Sequence, residues 1–159
     1  MPLPRVLPQL LVIALAITAC KRSEPVPEGD VAATLTAPSI GAYKFDPASL
    51  KGKPCLVMFV TPTCPHCLAT IPRGVAAASS TNANVVAVFV AGTKSSAEGV
   101  VSHTKFPGAA LIDDGTLRRK YNVRGVPYSL VLGPDGRARE AFRGEQEEGT
   151  FREALVDAR

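Results

Sequence analysis

Two cysteines separated by two residues are the part of the sequence best suited to chemistry. Cys64 and Cys67 flank Pro65 and His66, and the unbroken apolar run at residues 56–60 ends shortly before them. Such a run predicts a buried strand, and the residues after Cys64 predict a helix in which Pro65 takes the first position. Cys64 would then lie at the helix N-terminus, where unpaired amides and the helix dipole stabilise a thiolate. We therefore predict thiol–disulfide exchange, with Cys64 attacking and Cys67 resolving the mixed disulfide.

The same cysteine spacing also occurs in zinc sites and in structural disulfides. A zinc site needs a second cysteine pair or a histidine pair, and His66 and His103 are the only histidines in the chain. A disulfide of such short span cross-links little chain and so stabilises little. We predict no bound metal, no cofactor beyond a redox-active Cys64–Cys67 disulfide, and a surface or core-edge position for His103.

The start of the chain has the features of an export signal. Residues 10–17 (LLVIALAI) form an apolar run of eight, which is too short to span a bilayer but fits the core of a signal peptide. The sequence Ile17-Thr18-Ala19-Cys20 resembles the bacterial lipobox. It predicts a lipoprotein signal peptide over residues 1–19 and a lipid on Cys20, although cleavage near Ala19 without lipidation is the alternative. The protein would face the periplasm or extracytoplasmic space of the cell envelope, on a membrane that the sequence does not specify.

Composition and cysteine count limit the remaining possibilities. The net charge of +4 is small and the basic residues are scattered, which argues against a nucleic-acid partner. If Cys20 is lipidated, three of the four cysteines remain. Cys55 begins an apolar run and is predicted to be a buried, inert thiol, so that Cys64 and Cys67 form the reactive pair. We expect a monomer.

The rest of the chain predicts a tether followed by one α/β domain. Residues 20–39 contain three prolines and no helical period, which predicts a flexible tether and places the domain at residues 40–159. Within the domain, helix is predicted at residues 65–79, 95–103 and 116–121, and a final helix starts at a capping box made by Thr150 and Glu153. Strands are predicted at residues 56–60, 84–90, 109–112, 129–132 and 139–143. This order indicates a central mixed β-sheet with helices on both faces.

Several positions together resemble the thioredoxin-like superfamily over residues 40–158. Pro72 follows Cys67 by five residues, residues 121–127 look like the family's cis-proline loop, and residues 52–54 resemble the TlpA/ResA-like, membrane-tethered subgroup. The resemblance implies that Pro127 is cis and faces the dithiol, and that Val126 offers main-chain groups to an extended client. It also implies protein thiol or disulfide clients, a membrane thiol redox donor or acceptor, and a role such as cytochrome c assembly.

Two departures from the family bear on proton transfer and on the direction of electron flow. Met58 occupies the position of the buried acid of many thioredoxins, so the leaving thiolate must take its proton from His66, water or another group. The Pro65-His66 dipeptide resembles that of DsbA-type oxidases, in which a partly cationic histidine favours the reduced state. Since the chain lacks the helical insertion of those oxidases, we predict a reductase and keep the oxidase as the alternative.

Two further families share part of the pattern. Thr61 and Cys64 resemble half of a peroxiredoxin motif, but Val57 replaces its proline. Sco-like copper-binding assembly factors share the anchored scaffold, but they space their cysteines by three residues and add a distal histidine, for which His103 is the candidate here. Both remain alternatives to a disulfide oxidoreductase.

Overall fold

The structure is a computed structural model and describes residues 24–41 and 44–159. Its strands are β1 (Cys55–Val60), β2 (Asn84–Phe89), β3 (Ala109–Ile112), β4 (Tyr128–Leu132) and β5 (Ala138–Arg143). Its α-helices are α1 (Pro65–Ser80), α2 (Lys94–Thr104), α3 (Thr116–Lys120) and α4 (Glu148–Asp157). Short 3-10 helices at Ala32–Thr34 and Pro47–Leu50 precede β1. All predicted helices and strands are present, and their ends differ from the predicted ends by at most two residues.

Strand β1 occupies the centre of a five-stranded sheet ordered β3-β2-β1-β4-β5. It pairs parallel with β2 and antiparallel with β4, while β3 runs parallel to β2 and β5 antiparallel to β4. All six residues of β1 are buried, because layers of side chains cover both faces of the sheet at its centre. This explains why the strand is an unbroken apolar run. The predicted mixed sheet is confirmed.

Two hydrophobic layers cover the two faces of the sheet. On one face, Met58 and its neighbours pack against Ile71 of α1 and Phe151 of α4. On the other face, Phe59 packs with Leu117 of α3 and with residues from the N-terminal segment. Helices therefore lie on both faces, as predicted, and the alternation of β1 side chains between the layers fixes the strand in place.

Helix α1 packs directly on β1 at Gly74. A Cβ atom built on Gly74 would fall 2.6 Å from Met58 Sδ and 2.9 Å from Leu56 Cδ2. Even the Cβ of an alanine would force Met58 or Leu56 to shift, so glycine permits the contact. Since α1 carries the cysteine motif at its start, this contact sets the position of the motif relative to the end of β1.

The packed domain begins earlier than the sequence predicted. The flexible tether was predicted to extend to residue 39, but Val31, Ala32 and Leu35 are buried in the core, and the Ala32 amide donates to Gly136 O at 3.1 Å. The reason is that these apolar residues cover the face of the sheet opposite α1. The prediction of a tether is therefore wrong from Asp30 onward. Asp30 forms an isolated antiparallel bridge with Arg137, the residue just before β5. The predicted signal peptide and Cys20 lie outside the described residues.

The start of the last helix also differs from prediction. Helix α4 begins at Glu148 with Glu147 as its N-cap, so Thr150 lies inside the first turn and does not cap the helix. The acidic Glu148 in the first turn suits the positive end of the helix dipole. The predicted apolar face is correct, since Phe151, Ala154, Leu155 and Ala158 are buried. No helix within residues 24–41 and 44–159 is long and apolar enough to cross a membrane.

Candidate active site

Cys64 is the N-cap residue of α1, four residues beyond the last residue of β1. Its backbone is extended, Pro65 takes the first helical position, and the Cys67 amide donates to Cys64 Sγ at 3.4 Å. A sulfur in this position faces the unpaired amides of the first turn, which stabilise negative charge. The side chain is partly exposed, so Cys64 has both the environment and the access that a nucleophilic thiol needs.

Cys67 differs from Cys64 in exposure and in acidity. It is fully buried within the layer formed by α1 and α4. Burial first, and the neighbouring Cys64 sulfur second, raise the pKa of Cys67 to about 12. Hydrogen bonds from the backbone and side chain of Thr61 act in the opposite direction and lower it. Both cysteines are free thiols in the structure. This asymmetry suits an exposed attacking thiol and a protected resolving thiol.

The loop that ends in Pro127 lies directly beside the dithiol. The Val126–Pro127 peptide bond is cis, as the family resemblance implied, and the Cys64 thiol lies 4.0 Å from Val126 O. Pro127 has no amide proton to donate, and its carbonyl accepts from the Gly144 amide at 2.8 Å. Arg124 and Gly125 are exposed and Val126 is half-buried. The structure thus places main-chain groups next to Cys64, where an extended chain could pair with them.

His66 makes a contact that the sequence did not predict. Its side chain is 72% exposed, and its Nδ1 lies 2.7 Å from Oε2 of Glu145, in the loop between β5 and α4. The other carboxylate oxygen lies 2.5 Å from Nη1 of Arg73 in α1. His66 first, and Arg73 after it, hold the pKa of Glu145 below its ordinary value. Glu145 is 79 positions from His66, and no local pattern in the sequence points to the pairing.

Among the described residues, no carboxyl group takes the place of the missing buried acid. Met58 is fully buried and its sulfur lies under Gly74, so this position carries no proton donor. Asp113 is the only buried carboxylate among the described residues, and it accepts from the amides of Leu117 and Arg118 at the start of α3. Thr61 is the polar side chain that reaches Cys67. The sequence singled out Thr61 only as part of a peroxidase motif and missed this contact.

The remaining candidate residues lie away from the site. Cys55 is buried at the opposite end of β1 from Cys64, and burial raises the pKa of its thiol. His103 is exposed in the last turn of α2. Within residues 24–41 and 44–159, no three His, Cys, Asp or Glu side chains come together as a metal site would require. Of the predicted site residues, the structure therefore brings together Cys64, Pro65, His66, Cys67, Val126 and Pro127.

The fold and the site agree with a family assignment. A family model described as a thioredoxin-like domain matches residues 43–159. The chain belongs to the thioredoxin-like family. The match covers all of the sheet, the four α-helices and the dithiol, and leaves out the packed N-terminal segment that begins at Asp30.

Three proteins illustrate the similarity. The chain is 32% identical over 103 residues to the soluble secreted antigen MPT53 of Mycobacterium tuberculosis, covering 64% of the chain and 60% of that protein. It is 31% identical over 88 residues to the methylamine utilization protein MauD of Methylophilus methylotrophus, covering 54% of the chain and 40% of that protein. A solved secreted disulfide oxidoreductase of Mycobacterium tuberculosis, described as homologous to Escherichia coli DsbE, superimposes with a TM-score of 0.71 at 26% identity, covering 81% of the chain and 99% of that structure. The chain thus spans less than two thirds of the two curated relatives and nearly all of the solved one.

Proposed function

We propose that this protein is an extracytoplasmic thiol–disulfide oxidoreductase that exchanges disulfides with protein clients through Cys64 and Cys67. One observation carries the proposal: the Cys64 sulfur caps α1 and lies 4.0 Å from the Val126 carbonyl in the cis-proline loop. This geometry joins a stabilised nucleophile to a main-chain surface for an extended substrate. The similarity to a secreted disulfide oxidoreductase supports the same activity.

The reaction follows from the different environments of the two thiols. In the reducing direction, the Cys64 thiolate attacks one sulfur of a client disulfide, and the other client sulfur leaves as a thiolate that takes a proton from water. Cys67 then gives its proton to water and attacks the Cys64 sulfur, which forms the Cys64–Cys67 disulfide and releases the second client sulfur as a thiolate that water protonates. Two electrons pass to the client. A membrane thiol donor would return the pair to the dithiol.

We favour a reductase over an oxidase. The Pro65-His66 dipeptide argues for an oxidising site, since a cationic histidine next to Cys64 would stabilise the reduced form. Two features argue against it: His66 is paired with the carboxylate of Glu145, and the described residues contain no large helical insertion beyond the four helices of the sheet domain. Apocytochrome c, whose cysteines must be reduced before haem attachment, is a client class worth testing.

Attachment to a membrane through Cys20 completes the proposal. The lipobox-like sequence supports it, and the similarity to a secreted antigen supports an extracytoplasmic location. The packed domain starts near Asp30, ten residues after Cys20, which allows a reach of about 30 Å if the segment is extended at about 3.1 Å per residue. In its native host, the wild-type chain should enter the detergent phase on phase partitioning, while Cys20→Ser should stay in the aqueous phase. Equal partitioning would rule out the lipid.

The activity can be tested by trapping the mixed disulfide in the full chain. Cys67→Ser should accumulate a covalent complex with a disulfide-bonded protein such as insulin, because the resolving thiol is missing. Cys64→Ser should form none, and Cys55→Ala should retain the exchange activity of the wild type. The proposal fails if Cys64→Ser still reduces insulin, or if the wild-type chain supplied with dithiothreitol reduces insulin no faster than dithiothreitol alone.

A further inference from the structure

Glu145, the residue paired with His66, is also held in place by Arg73. Glu145 Oε2 lies 2.7 Å from His66 Nδ1, and Glu145 Oε1 lies 2.5 Å from Arg73 Nη1. Arg73 also lies 3.3 Å from Glu147 Oε1 and donates to Gln146 O at 3.5 Å. The β5–α4 loop is therefore bound to α1 at Arg73, six residues beyond Cys67. Glu145 is 30% exposed, less than half as exposed as His66.

The direction of the hydrogen bond determines what His66 can do. An ionised carboxylate only accepts, so His66 Nδ1 must donate its proton to Glu145. The imidazole is thereby oriented toward the β5–α4 loop, and Nδ1 is not free to donate to the Cys64 sulfur. Arg73, the other charged side chain that binds Glu145, is itself paired with two carboxylates. Glu145 is thus the group that fixes the direction in which His66 Nδ1 points.

The net charge of the pair gives the sign of the effect. With His66 protonated the His66–Glu145 pair has zero net charge, and with His66 neutral the pair has a charge of minus one. Without Glu145, the same two states of His66 would carry plus one and zero. While the carboxylate holds a protonated His66, Cys64 therefore faces a neutral pair and not a free cation that could turn toward its sulfur. Its thiolate is then less stable, and a less stable thiolate gives a more reducing couple. The effect acts through His66 and should largely disappear when the imidazole is absent.

We propose that Glu145 is a positioning residue that directs His66 away from the Cys64 sulfur and offsets its charge, which keeps the Pro65-His66 motif reducing. The inference rests on the proposed exchange function, because it concerns the equilibrium between the Cys64–Cys67 dithiol and disulfide. It also explains how a dipeptide that resembles that of DsbA-type oxidases can occur on a scaffold of the reducing type.

The test compares matched variants of the full chain in glutathione redox buffers. Glu145→Gln should shift the equilibrium constant about two- to fivefold toward the dithiol, as expected for one charge in a solvent-exposed pair. Glu147→Gln is the control, because Glu147 also contacts Arg73 but does not contact His66, and its side chain does not cap α4. When His66 is also replaced by alanine, Glu145→Gln should change the logarithm of this equilibrium constant by less than half as much as it does in the wild-type chain. A shift of equal size in both backgrounds, or none in the wild-type background, would overturn the inference.

A second readout separates this inference from the proposed function. The rate at which iodoacetamide alkylates Cys64 near neutral pH reports the thiolate fraction, whether or not the protein exchanges disulfides with clients. Glu145→Gln should raise this rate about two- to fivefold, and Glu147→Gln should not. If the rate rises as expected while insulin is not reduced, only the proposed function fails; if the rate is unchanged while insulin is reduced, only the role of Glu145 fails.

Discussion

Replacing Thr61 by valine should slow the step in which Cys67 closes the intramolecular disulfide. Burial raises the pKa of the Cys67 thiol to about 12, and the backbone and hydroxyl of Thr61 are the groups that lower it. Valine keeps the branched shape of threonine and the backbone contact, but it removes the hydroxyl. The Cys67 thiolate then loses one hydrogen bond, and its pKa should rise further.

The size of the effect follows from two opposing terms. A hydrogen bond to a charged group contributes about 1.5–3 kcal/mol, and because Thr61 is partly exposed we take about 1.4 kcal/mol, or about one pKa unit. The thiolate population at neutral pH would fall about tenfold. The remaining thiolate would be about threefold more nucleophilic, since the Brønsted coefficient for thiols is about 0.4–0.5. The closing rate should therefore fall about three- to fourfold.

The closing step can be measured directly on the full chain. A mixed disulfide between Cys64 and glutathione is prepared, and the release of glutathione is followed as Cys67 attacks. Thr63→Val is the matched control, because Thr63 is exposed and undergoes the same chemical change two positions away. If Thr61→Val closes at the wild-type rate, or if Thr63→Val is slowed equally, the assignment of Thr61 to Cys67 is wrong.

Two predictions concern stability. Burial raises the pKa of Cys55 and of Cys67 above the ordinary value of 9.0, so the folded, reduced chain binds protons more tightly than the unfolded chain. Between about pH 9 and 10, before the buried Tyr121 and Tyr128 contribute, its free energy of unfolding should fall by about 1.4 kcal/mol per pH unit for each thiol. In urea titrations Cys55→Ala should therefore lose half as much stability per pH unit as the wild type, and an unchanged loss would contradict the assignment. Gly74→Ala should lower the free energy of unfolding by about 1–3 kcal/mol, because its Cβ would fall 2.6 Å from Met58 Sδ. Gly99 has open space around it, so Gly99→Ala should leave the free energy of unfolding unchanged or raise it. Equal losses at both glycines would refute the packing argument.

The parts of the fold and site that depend on near neighbours in the chain could be predicted from the sequence. The apolar run of β1 indicates burial on both faces, and the spacing of Cys64 and Cys67 with Pro65 between them indicates a helix N-terminus. The cis peptide bond at Pro127 was implied by the family resemblance of its loop and is present. These features are encoded within a few residues of one another, so a single sequence reveals them.

The features that were missed depend on contacts between distant segments. Glu145 meets His66 from 79 positions away, and charged residues in a loop look alike whether or not they pair. The segment around Leu35 resembles a linker because of its prolines, yet its apolar residues cover an open face of the sheet. Thr150 matches a capping box, but the backbone turns into helix at Glu148. In each case tertiary packing decides between conformations that the local sequence permits.

The decisive measurement is the reduction potential of the Cys64–Cys67 couple, obtained by equilibrating the full chain with glutathione buffers. We expect a single two-electron couple near the value of thioredoxin, about −270 mV, at which the pair donates electrons to clients. A value near that of DsbA, about −120 mV, would mean that His66 controls the site despite Glu145 and that the protein oxidises its clients. Failure of the two cysteines to form a disulfide in any buffer would contradict the exchange function itself.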